Sequence, residues 1–181
     1  IWAPSTVPPA PLDDGDPASV ELGTKFRSDV NGYITGVRFY KVAANTGAHT
    51  GTLWSSTGTM LATVTFSGET ASGWQQANFP SPVAVTANAV YVVSYHAPNG
   101  HYTGTDNFFA TTGVDRPPLH ALKNGTSGAN GLYRYAGGTV FPNSTYLSEN
   151  YWVDVVFTTT PGADTTPPTV TSRVPAAGVA V

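Results

Sequence analysis

The chain of 181 residues carries a net charge of -3 and contains no cysteine. This length suits one domain with tails, and the lack of cysteine excludes a disulfide framework, a thiol nucleophile and a thiolate metal site. Only 10% of the residues are charged and no basic cluster occurs, which argues against binding to nucleic acid. No apolar run approaches the roughly 20 residues of a membrane helix, so no membrane partner is expected.

Residues 1–17 are rich in proline and are predicted to form an irregular N-terminal lead-in. Three acidic residues cluster there: Asp13, Asp14 and Asp16. Calcium prefers hard oxygen ligands such as carboxylates, so this cluster is the first candidate for a structural calcium ion. The cluster lacks the rest of an EF-hand loop, and a solvated acidic loop is the alternative.

Strand-like segments follow in close succession and are separated by Gly, Asn, Ser and Pro turn signals. They cover residues 20–27, 33–42, 51–55, 59–67, 73–79, 83–86 and 90–96, and strands return at 131–135 and 151–159. No helical period accompanies them. This pattern predicts an all-β fold, an antiparallel, jelly-roll-like β-sandwich over residues 18–160.

Residues 97–130 are rich in glycine and aromatic side chains and are predicted to form one long loop. Loops of this length in a compact domain are usually functional or disordered. The turn at Asn99-Gly100 brings together three candidate ligands for sugar hydroxyls: Asn99, His101 and Tyr102. Further aromatic residues and a histidine are candidates to extend this rim: Phe108, Phe109, His120, Tyr133 and Tyr135. The alternative is a loop that packs on its own aromatic side chains.

The composition changes again after Thr160. Residues 161–181 are predicted to be a linker followed by the truncated start of an immunoglobulin-like repeat. The chain is therefore expected to be tethered to further domains of a larger exported protein.

Strand alternation provides a second candidate site, because successive side chains point to opposite faces of a sheet. With Val37, Phe39 and Leu53 in the core, aromatic and polar residues remain on outer faces. If their strands share one sheet, that face presents Arg38, Tyr40, Trp54, His96, Trp152 and Asp154. Aromatic rings can stack on sugar rings while the polar groups bond to hydroxyls. The alternative is that residues 97–130 cover this face and that Arg38 and Asp154 form a partly buried ion pair.

Several stretches of the sequence together resemble a known family. They are VELGTKF at 20–26, GVRFYK at 36–41, HTGTLW at 49–54, SGETASGWQ at 67–75, YHAPNGHY at 95–102 and YWVDVVF at 151–157. Together they resemble a secreted actinobacterial module known as domain of unknown function 4082, over residues 1–160. The resemblance implies an extracellular location beside immunoglobulin-like and carbohydrate-active domains. It suggests glycan binding by association only and supplies no binding residues.

No nucleophile elbow, phosphate loop or zinc-protease motif is present, and most of the 11 acidic residues lie in predicted turns or tails. The sequence therefore predicts a monomeric, non-catalytic carbohydrate-binding module with a polysaccharide or glycan as partner. No cofactor is required for this function. The alternatives are an adhesion or spacer module without a small ligand, and a polysaccharide-degrading enzyme.

Overall fold

The computed structural model describes residues 1–10 and 12–161, and their regular structure is entirely β-strand. The strands are β1 (Val20–Ser28), β2 (Gly32–Lys41), β3 (Thr50–Ser55), β4 (Met60–Thr65), β5 (Gly73–Val85), β6 (Val90–Ala97), β7 (Val114–Arg116), β8 (Leu119–Ala121), β9 (Leu132–Tyr135), β10 (Ser144–Thr145) and β11 (Val153–Thr158). Within these residues no helix could cross a membrane. The predicted linker and immunoglobulin-like start at 161–181 lie outside the described residues, apart from Pro161.

The strands form two antiparallel sheets. The large sheet has the order β10-β9-β1-β6-β3-β4, with β8 also paired to β1 and β7 paired to β8. The small sheet has the order β11-β2-β5. This arrangement confirms the predicted all-β, antiparallel β-sandwich.

Two predicted boundaries were wrong. Residues 73–79 and 83–86 belong to one continuous strand, β5, although Pro80 and Pro82 lie between them. Because β5 is an edge strand of the small sheet, a proline nitrogen there need not donate to a neighbouring strand. The segment 97–130 is not one loop, since it contains β7 and β8, which extend the pairing of β1.

The core between the two sheets follows the predicted alternation. Phe39 of β2 and Tyr95 of β6 stack across the sandwich, with ring centroids 4.2 Å apart. Phe66 packs edge-on against Phe39 at 4.9 Å. Val37 and Leu53, which were predicted to face inward, are fully buried in the same cluster.

The N-terminal segment, residues 1–6, covers the outer face of the small sheet. Trp2 is buried and lies against Trp74 of β5 at 6.4 Å and Trp152 at 5.7 Å between ring centroids. The Trp74 indole nitrogen donates to the Thr6 carbonyl at 2.8 Å. The start of the predicted irregular lead-in is therefore packed against the sandwich.

A different segment, residues 139–142, covers part of the outer face of the large sheet. Phe141 packs edge-on against Trp54 with ring centroids 5.6 Å apart. Pro142 lies over Gly23 of β1, where an added Cβ would come within 2.9 Å of the proline ring. The absence of a side chain at Gly23 thus allows the covering segment to approach the sheet.

We predict that Trp2→Ala destabilises the fold by roughly 3 kcal/mol, because it removes a buried indole between two others. Urea unfolding followed by tryptophan fluorescence measures the change. Val7→Ala, at a side chain that is 63% exposed, is the matched control and should stay within about 0.5 kcal/mol of the wild type. An equal effect of both variants would contradict the packed position of Trp2.

Candidate functional site

The six residues predicted to share one sheet face lie on two different sheets. Arg38 and Tyr40 on β2 and Asp154 on β11 belong to the small sheet, and Trp152 immediately precedes β11. The other two residues, Trp54 on β3 and His96 on β6, belong to the large sheet. Alternation predicts which side of a strand a residue occupies, but it does not predict which strands pair.

The small-sheet residues of this set are occupied by contacts within the protein. The fully buried Asp154 carboxylate accepts bonds from Arg38 Nη2 at 2.5 Å, the Ile1 nitrogen at 2.8 Å and the Trp2 amide at 3.2 Å. Arg38 also donates to the Trp2 carbonyl at 2.7 Å and lies over the Trp74 ring. The alternative of a buried Arg38–Asp154 pair is therefore the one found. Residues 1–6 cover this pair, and Trp152 is covered by part of 97–130.

The aromatic members of the small-sheet set pack against neighbouring rings. The buried Trp152 indole lies against Phe108 at 5.5 Å and donates to Thr105 Oγ1 at 2.9 Å. Tyr40 is partly exposed and meets Trp74 edge-on at 5.7 Å. Neither contact leaves an open aromatic platform on this sheet.

Trp54 and His96 belong to a buried polar cluster on the large sheet. The Trp54 indole nitrogen donates to Ser94 Oγ at 2.7 Å, and Ser94 Oγ donates to the Glu21 carboxylate at 2.5 Å. His96 Nδ1 lies 3.4 Å from the other Glu21 oxygen, and His96 Nε2 lies 3.1 Å from Ser19 Oγ. Glu21 was not predicted as a site residue, although an acid between the core residues Val20 and Leu22 was a signal that could have indicated it.

The three predicted loop ligands have different surroundings. Asn99 donates to Thr46 Oγ1 at 3.1 Å, and His101 Nδ1 lies 3.2 Å from a carboxylate oxygen of Asp13. Tyr102 is mostly buried and packs edge-on against Tyr151 at 5.7 Å. Of the three, Tyr102 lines the pocket described next.

An open pocket of about 300 Å³, here called the tyrosine pocket, lies beside β9 and the segment that follows β6. It is lined by five tyrosines and three acidic residues: Tyr102, Tyr133, Tyr135, Tyr146, Tyr151, Asp14, Asp16 and Glu149. Of these residues, Tyr102 was predicted as a sugar ligand with Tyr133 and Tyr135 as additions to the same rim, and Asp14 and Asp16 were predicted as metal ligands. Tyr146, Tyr151 and Glu149 were missed because they come from a segment far from these residues in the chain.

Strand pairing explains how β9 contributes to this pocket. Tyr135 lies opposite Val20 of β1, and Tyr133 lies opposite Leu22. Directly opposed residues in an antiparallel pair share one face, so both rings lie on the inner side of the sheet. Their centroids are 5.6 Å apart, and the Tyr135 hydroxyl donates to Asp16. That hydrogen bond, with burial and the Asp16 charge, raises the pKa of Tyr135 to about 12.

Glu149 lies at the back of the pocket with an exposed fraction of only 3%. Burial raises its pKa to about 7; the nearby carboxylates of Asp14 and Asp106 add to the shift and a hydrogen bond with Tyr151 opposes it. No lysine, arginine or histidine in the described residues forms an ion pair with it. At Gly104 an added Cβ would lie 1.7 Å from Glu149 Oε1, so a larger residue there would displace this carboxylate from its position.

The three aspartates of the predicted calcium site point toward different partners. Asp13 accepts a bond from the Gly15 amide and faces His101, whereas Asp16 bonds to the Ala18 amide and to Tyr135. Asp14 instead lines the tyrosine pocket. In residues 1–10 and 12–161 no three acidic, histidine or cysteine side chains converge as metal ligands. Calcium binding stays a prediction.

We predict that Glu149→Gln stabilises the protein at alkaline pH and has little effect at acid pH. Between its ordinary pKa of 4.5 and about 7, this carboxyl ionises in the unfolded chain but keeps its proton in the folded chain. The wild type therefore loses stability as pH rises through this range, by an amount on the order of 1–3 kcal/mol that the variant does not lose. Urea unfolding at pH 4 and pH 8 measures the difference, and an equal difference at both values would contradict the assignment.

Comparison with known families agrees with the earlier resemblance. A family model described as Domain of unknown function (DUF4082) matches residues 5–153, a range that includes every residue lining the tyrosine pocket. No curated protein matches the chain. Because the family model covers most of the chain, this protein belongs to the DUF4082 family.

Proposed function

We propose that this chain is a non-catalytic carbohydrate-binding module and that the tyrosine pocket is its binding site. One observation carries the proposal: five tyrosines and three carboxylates line a single open pocket. Tyrosine supplies a rigid ring that can stack on a sugar and a hydroxyl that can bond to it. Carboxylates accept bonds from sugar hydroxyls, and a few placed polar groups within an aromatic pocket are typical of small-ligand sites.

The accessibility of the pocket supports the same proposal. Tyr135 and Tyr146 are 53% and 55% exposed, so their rings are available to a polymer that approaches from solvent. Tyr102 and Tyr151 are buried behind them and hold the pocket wall in place. A chain-like ligand can therefore contact the exposed rings at the rim without a change in the core.

We also propose where the module acts and how it is connected to other domains. A secreted, monomeric module tethered to further domains would direct an attached partner to its polysaccharide. The net charge of -3 is consistent with a partner other than nucleic acid.

We predict that Tyr135→Ala and Tyr146→Ala each weaken binding to a retained polysaccharide by about tenfold, equivalent to about 1.4 kcal/mol. The reason is the loss of an exposed stacking surface at the rim. Affinity electrophoresis against a panel of soluble polysaccharides identifies the ligand, and isothermal titration with its oligomers measures the affinities. Tyr33→Ala, a partly exposed tyrosine on β2, is the matched control.

Two outcomes would count against carbohydrate binding at this site. Failure to retain any polysaccharide would favour the spacer function, in which the module separates other domains and has no small ligand. Retention that all three variants leave unchanged would place the binding surface elsewhere.

A second candidate function, ester hydrolysis, is supported by the alignment of Ser19, His96 and Glu21. A serine within hydrogen-bond distance of an imidazole that faces a carboxylate is the arrangement of a serine hydrolase. Burial raises the pKa of Glu21, however, and an uncharged acid stabilises an imidazolium less well. Ser94 also donates to Glu21, as in a structural network. Binding is therefore the proposed function.

We predict no enzymatic turnover of 4-nitrophenyl acetate or of acetylated xylan above that of Ser19→Ala. Acetate release is measured by absorbance and by chromatography. A rate that disappears in Ser19→Ala and persists in Ser55→Ala would instead establish the hydrolytic function.

A further inference from the structure

We infer that the tyrosine pocket selects a glycan that carries a protonated amine, such as an oligomer of glucosamine. The inference rests on the proposed function and adds the chemical class of the ligand.

Glu149 is surrounded by other acidic residues. This residue lies between the tyrosine pocket and a neighbouring pocket of about 200 Å³ that also includes Asp14 and Asp106. No lysine, arginine or histidine lines either pocket. Four carboxylates, the three of the tyrosine pocket and Asp106, therefore line two neighbouring pockets that share Asp14 and Glu149, with no lysine, arginine or histidine among the lining residues.

The Glu149 side chain is buried. A carboxylate that is 3% exposed and forms no ion pair with a described residue is unfavourable in its charged form. A cation bound in the pocket would favour the charged form. Because Glu149 lines both pockets, a bound cation would be within its reach from either side.

The lining of the pocket favours an ammonium group over a metal ion. The pocket is lined mainly by tyrosine rings, whose faces attract ammonium groups and whose hydroxyls accept their hydrogen bonds. A metal ion would need several converging oxygen ligands, and the described acidic residues do not converge in that way. A volume of about 300 Å³ also suits an organic ligand better than a single ion.

The acidic lining should distinguish amine-bearing sugars from neutral and acidic ones. A neutral sugar would make the same ring contacts but would leave the carboxylates uncompensated. A sugar acid would place like charges together, which costs affinity. The pocket should therefore rank ligands in the order amine, neutral, acid.

The test compares glucosamine hexamer with N-acetylglucosamine hexamer, which has the same backbone without the charge. Isothermal titration at pH 6 and low salt is expected to show at least tenfold tighter binding of the amine, and this preference should fall at high salt. Glu149→Gln and Asp14→Asn should each reduce the preference by several-fold. Asp115→Asn, which removes the same charge at a side chain that is 83% exposed outside the pocket, should leave it unchanged.

The remaining outcomes distinguish this inference from the proposed function. Equal binding of both hexamers would overturn the inference and leave carbohydrate binding intact. Binding of hexalysine without binding of either hexamer would overturn carbohydrate binding and assign the amine to a peptide. Calcium binding that is lost in Glu149→Gln, without binding of either hexamer, would overturn the amine and assign the cation to a metal.

Discussion

The buried Asp154 carboxylate is the contact that fixes the N-terminal segment against the sandwich. It joins β11 to Arg38 of β2 and to the first two backbone nitrogens of the chain. Removing one partner of such a pair is costly because it leaves the other charge buried. The contact therefore holds residues 1–6 against the small sheet, where Trp2 completes the packing.

The acidic residues that follow this segment are held by separate backbone bonds. The Asp14 amide bonds to the Tyr102 carbonyl at 2.9 Å, and the His101 amide bonds to the Asp16 carbonyl at 2.7 Å. These bonds join the lead-in to the loop after β6 and bring Asp14 and Asp16 to the rings of Tyr102 and Tyr135. The pocket is thus built from separate chain segments, and these hydrogen bonds hold the lead-in in place beside it. Glu149 adds a buried carboxyl group to the pocket, and its raised pKa lowers the stability of the protein at alkaline pH. Such local costs are expected at functional sites.

Much of the fold followed from local pattern. The alternation in β2, β3 and β6 correctly identified core side chains such as Val37, Leu53 and Tyr95, because a pleated strand has only two faces. It did not predict that the opposite face of β3 and β6 is buried too. It failed for Pro80 and Pro82, since the tolerance for proline depends on whether a strand lies at an edge. It failed again for the supposed aromatic face, since Trp54 and Arg38 have the same local signature on different sheets. The candidate site was predicted least well, because Tyr146 and Glu149 belong to no motif and their place in the pocket depends on residues distant in the chain.

By itself, the amino-acid sequence determined the strand content, the inward and outward side of most strands and the resemblance to the DUF4082 family. These properties depend on residues that are close in the chain. Only the tertiary structure decided that the outer faces of both sheets are partly covered, and that tyrosines and carboxylates from the lead-in, β9 and the residues before β11 meet in one pocket. The physical reason is that strand pairing and segment packing are long-range contacts, selected by the burial of the whole chain at once.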